Sequence, residues 1–113
     1  MASLKKLNKI IDDFYIIYDK YQEAIQSNNR QGIIKYGKEL ANYLGEHRQI
    51  LEISEEYVAE LNKALDSLEK TFIKAARKKN QAANLYLITE ADKQAYFHAL
   101  LTELPIGKKR TGH

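Results

Sequence analysis

Near the start of the chain, apolar residues recur in alternating steps of three and four: Leu4, Leu7, Ile11, Phe14, Tyr18, Tyr21 and Ile25, with Ile10, Ile17 and Ala24 widening the stripe. An α-helix turns once in about 3.6 residues, so this spacing gathers all of them on one face. A sustained period near 3.5 favours shallow left-handed packing against similar helices, as in a bundle. Ser3 is suited to cap the start of the segment, and Ser27-Asn28-Asn29 to stop it. The period returns in Ile33, Tyr36, Leu40, Tyr43, His47 and Ile50, flanked by Leu44 and Leu51. So short a connection predicts that this second helix runs antiparallel to the first. Gly32, Gly37 and Gly45 lie within it, and each interior Gly costs roughly 1 kcal/mol relative to Ala. Gly37 suits a close helix contact and Gly45 a kink.

Ser54 followed by Glu55 and Glu56 reads as a cap with acidic groups on the positive end of a third helix. Its stripe is Val58, Leu61, Leu65, Leu68, Phe72 and Ala75, turning polar at Lys79 before Ala82 and Tyr86 resume it. Such a helix outruns the first two, at about 30 residues and some 45 Å. Thr89-Glu-Ala-Asp92 resembles a capping box and precedes Tyr96, Phe97, Leu100, Leu101 and Leu104, which predicts a short fourth helix. Pro105 and Gly107 end that helix and leave Lys108-Lys109-Arg110 in a tail. The expected fold is therefore all-α: an antiparallel helical bundle of three long helices plus a short C-terminal helix, forming one domain over 1–113, with 105–113 a mobile basic tail.

Composition narrows the chemistry. The 113 residues suffice for one core, and 44% hydrophobic against 29% charged residues places the chain among folded domains. The absence of Cys removes disulfides, thiolate metal sites and Cys nucleophiles. The longest apolar run, Phe14 to Tyr18, is far short of the roughly 20 residues a spanning helix needs, and no signal-peptide core follows Met1. A soluble, cytoplasmic protein is expected.

No catalytic constellation emerges. His47 and His98 lack the Glu-x-x-His spacing of carboxylate-bridged metal sites, and Asp12-Asp13, Glu55-Glu56 and Glu90-Asp92 are carboxylate pairs of which two lie at expected helix starts. Phosphate-loop, nucleophile-elbow and zincin motifs are absent from the sequence. The expectation is a protein that is not an enzyme and holds no metal or cofactor. Basic residues gather at Lys5, Lys6 and Lys9, at Lys74, Arg77, Lys78 and Lys79, and at Lys108 to Arg110, and the net charge is +3. Such runs contact phosphate in nucleic-acid-binding proteins. Here the same helices also carry Asp and Glu, and no short helix-turn-helix is evident, so a nucleic-acid-binding accessory role is a lesser alternative. The basic tail is suited to peripheral contact with an anionic membrane.

Eight Tyr, three Phe and no Trp make the aromatic set unusual. Tyr favours interfaces, being apolar along the ring and polar at its tip. Tyr15, Ile16 and Ile73 fall outside the core stripes, where apolar residues extend a binding groove for a protein partner.

Tyr18-Asp-Lys-Tyr-Gln-Glu-Ala-Ile25, Ile33-Ile34-Lys-Tyr-Gly-Lys-Glu-Leu40, Arg48-Gln-Ile-Leu51 and Ser54-Glu-Glu together form a pattern of residue type and spacing over most of the chain. It resembles the small flagellar export chaperones, particularly the filament-cap chaperone family. That resemblance implies a cytosolic bundle that holds the helical C-terminal part of an export substrate in an apolar groove and delivers it to the export gate. It assigns Leu65, Leu68 and Phe72 to both core and groove, and matches Tyr86 to the family's export-gate contact. The basic balance departs from that family, whose members are more often acidic. Leu85-Tyr-Leu-Ile-Thr-Glu90 and Leu104-Pro-Ile-Gly107 are instead similar to bacteriocin immunity proteins, basic four-helix bundles that protect the producer cell. The face of Tyr96, Phe97, Leu100, Leu101 and Leu104 is too apolar to remain in water. It has two readings: it completes the core, or it is a regulatory cover over part of the groove, competing with a partner's helix.

Overall fold

The computed structural model describes residues 4–77 and 83–102, with side chains over 5–76 and 90–102, and five helices carry these described residues. They are α1 (Leu4–Gln26), α2 (Arg30–Glu46), α3 (Arg48–Leu51), α4 (Glu55–Arg77) and α5 (Ala83–Thr102). There is no strand among the described residues, and the protein is all-α. The chain divides into two compact units, Met1–Glu60 and Leu61–His113, and the division falls within α4.

In the first unit, α1 stops where its last carbonyls find partners in the turn. The Asn28 N–H donates to the Ile25 carbonyl at 3.1 Å and the Asn29 N–H to the Ala24 carbonyl at 2.9 Å. This pairing requires one residue in the left-handed region, and Asn28 occupies it at φ 56°. Asn tolerates that conformation better than most residues do. Asn29 then serves the next helix, since its side-chain oxygen accepts from the Gly32 N–H at 3.1 Å and so caps α2. One turn thus closes α1 and opens α2 in three residues, and the two helices pack as an antiparallel hairpin. Ala24 lies beside Gly32 at the closed end. At the open end the Tyr43 hydroxyl donates to the Ile10 carbonyl at 3.1 Å. Ile10, Ile11, Phe14, Tyr21 and Ala24 on α1 are buried, as are Ile33, Leu40, Ala41 and Leu44 on α2.

The second predicted helix does not run unbroken to Leu51. His47 leaves helical geometry at φ −106°, ψ 22°, and the single turn of α3 follows. The His47 ring lies 4.4 Å from that of Tyr43. α3 ends like α1: the Ile53 N–H reaches the Arg48 carbonyl at 3.0 Å, and Glu52 takes the left-handed position at φ 57°. Arg48 spans the turn, donating to the Ile53 carbonyl and pairing with Glu55, each at 3.4 Å. Ser54 caps α4 through a 3.1 Å bond from the Tyr57 N–H to its hydroxyl, with Glu55 and Glu56 in the first turn, as the sequence pattern predicts.

Two glycines of α2 occupy opposite environments. A Cβ on Gly32 would meet the Asn29 amide nitrogen at 2.6 Å and the Ala24 Cβ at 3.0 Å, whereas at Gly45 the nearest neighbour is a Val58 methyl at 3.7 Å. Gly32→Ala must therefore displace the side chain that caps the helix. It is expected to destabilise by about 1–2 kcal/mol despite the better helix propensity of Ala. Gly45→Ala has room and is expected to gain up to about 1 kcal/mol. Urea midpoints of the two variants check this; equal gains would show that Gly32 is not sterically required.

In the second unit, the α4 residues Leu61, Ala64, Leu65, Leu68, Thr71 and Phe72 are buried on one face. The Thr71 hydroxyl is satisfied by the Ser67 carbonyl at 2.9 Å. α4 is described over 23 residues to Arg77, and the part of its expected extension at 78–82 lies outside the described residues. The last helix differs from expectation: it begins at Ala83 and spans 20 residues, so Thr89 lies inside it and not at its start. The capping-box pattern is a local signal that stops nothing by itself. No Gly or Pro occurs between Ala83 and Thr102 to interrupt the ladder of hydrogen bonds. Leu104 and the 105–113 tail lie outside the described residues.

Candidate functional site

The aromatic residues of α1 form a continuous row. The Phe14 ring meets Tyr15 edge-on at 5.2 Å and stacks on Tyr18 at 6.0 Å, Tyr15 meets Tyr18 edge-on at 5.8 Å, and Tyr18 tilts toward Tyr21 at 6.3 Å. Phe14 and Tyr21 are buried, whereas Tyr15 and Tyr18 are half-buried and form the solvent edge of the row. This gradation follows from helical geometry, since Tyr15 lies about 100° around the helix from Phe14. Ile16 lies about 200° from Phe14, on the charged outer face, and is 57% exposed.

Desolvation orders the phenols. Burial pushes the Tyr21 hydroxyl above the usual tyrosine range, and neighbouring Tyr18 adds to the shift. Tyr18 is raised by burial first, with a Gln22 hydrogen bond opposing it and the Tyr15 and Asp19 charges assisting. Tyr43 is raised by burial and then by Asp13 and Glu46. A phenol held neutral in the folded protein contributes stability that is intact below the unfolded value of about 10 and is lost as pH rises through the folded one. Tyr21→Phe removes the largest of these contributions. The difference in denaturation midpoint between wild type and Tyr21→Phe is therefore expected to shift in favour of the variant as pH rises from about 9 to about 11. A difference that stays constant over that range would mean Tyr21 ionises freely.

The remaining site residues from the sequence reading divide by exposure. Leu65, Leu68 and Phe72 of α4 are buried, so in this structure they are core side chains. Ile73, on the flank of the same helix, is 47% exposed. On α5, Phe97, Leu100 and Leu101 are buried and Tyr96 is 49% exposed. Tyr86 belongs to the helical backbone of α5, but its side chain lies outside the described residues.

Glu90 is the residue that the sequence reading misplaced. Taken there as part of a cap, it is buried within α5. It precedes Phe97 by seven residues and Leu101 by eleven, spacings that put all three on one helical face. That signal was present in the sequence, but it becomes readable only once the helix is known to start before Thr89. Lys93, Gln94 and His98, at three, four and eight residues beyond it, are half-buried on the same side of the helix, so the carboxyl group lies on a mixed face.

Among the described residues, no group of three or more His, Cys, Asp or Glu is placed to hold a metal ion, and no helix is long and apolar enough to cross a membrane. Compared with known proteins, the chain matches no family model, no curated protein and no solved structure.

Proposed function

We propose that the protein is a non-catalytic, cytoplasmic protein-binding bundle whose helices assemble antiparallel, and that it acts as an export chaperone holding a helical segment of a flagellar substrate. The observation that carries the reading is the exposure of large apolar side chains within each unit taken by itself: Ile16 on α1 in the first, and Ile73 on α4 and Tyr96 on α5 in the second. Helix-in-groove recognition draws on such anchors, supplemented by half-buried aromatics such as Tyr15. Leu65, Leu68 and Phe72 join the interface on this reading when the partner enters, and Tyr86 serves the export contact. The basic balance of +3 supports a second reading, a bacteriocin immunity protein.

Gene neighbourhood chooses the probe. Flanking flagellar genes supply the C-terminal helical segment of the encoded filament-cap protein as a synthetic peptide for titration calorimetry. Ile16→Ser and Ile73→Ser are each expected to weaken its binding about tenfold or more, the effect of losing one interface anchor. Unchanged affinity in both variants would overturn the assignment of these residues. A flanking bacteriocin precursor gene would favour the immunity reading, and a tight, salt-sensitive complex with DNA would favour the nucleic-acid one.

A further inference from the structure

No further inference is drawn: the strongest candidate, the outer stripe of α1 on which Lys9, Asp12, Lys20 and Glu23 surround exposed Ile16, offers one apolar side chain, and nothing in the structure shows what covers it.

Discussion

Phe14→Ala is expected to cost about 3–5 kcal/mol of folding stability. The ring is buried on the inner face of α1 and stacks against Tyr18 while meeting Tyr15 edge-on. Truncation removes the apolar contact area and leaves a cavity, which the α1–α2 hairpin can close only by shifting helices held at both ends. One end is the shared turn at Asn28 and Asn29, the other the bond from Tyr43 to the Ile10 carbonyl. Typical domains have only about 5–15 kcal/mol in total, so the variant should lose a large fraction of its margin. Urea denaturation followed by circular dichroism measures the effect. Ile16→Ala, two residues away on the opposite face, serves as the control and should lie within about 0.5 kcal/mol of wild type. A Phe14 variant as stable as that control would mean that the inner face of α1 is not a packed core.

Phe97→Ala is expected to have an effect of similar size, about 3–5 kcal/mol, and it distinguishes the two roles open to α5. Phe97 is fully buried and shares its face with Leu101 and the buried Glu90. A helix of 20 residues is only marginally stable alone in water, so packing through this face must hold it. Hydrogen exchange on wild type and variant reads the consequence by segment. If α5 completes the core of its own unit, protection should fall together in the described residues of α4 and α5, because unfolding of a packed unit is one cooperative event. If α5 is a releasable cover, protection should fall across residues 90–102 while the buried face of α4, from Leu61 to Phe72, keeps its own. In the second case the Phe97→Ala protein should also bind its partner more tightly than wild type, since less free energy is needed to open the helix. Unchanged protection throughout would show that the buried face of α5 contributes little to its docking.

The sequence by itself determined the fold class and the helix punctuation at residues 27–29 and at Ser54. Stripes at Phe14, Leu40 and Leu61 repeat with the helical period, and each of these residues is buried. The stop at Ser27 to Asn29 and the cap at Ser54 are equally legible, because capping depends on side chains within three or four residues of the backbone groups they satisfy. Periodicity also separated Ile16 and Ile73 from the core stripes, and both are exposed. Other features were decided only in three dimensions. Gly32 and Gly45 look alike in sequence and differ only in what faces them, Ala24 and the Asn29 cap at clashing distance in one case and a Val58 methyl at ordinary contact distance in the other. The break at His47 and the continuity of α5 through Thr89 likewise escaped the local pattern. A capping motif states what a helix start would look like, whereas continuation depends on whether the residues before it find packing of their own. Glu90 is the clearest instance: the Thr89-Glu-Ala-Asp92 pattern assigned it to a helix start, and it is buried inside α5 on the face it shares with Phe97 and Leu101. Local signals act over one turn of chain, but burial is set by neighbours brought from elsewhere, and that distance is what the sequence pattern alone does not encode.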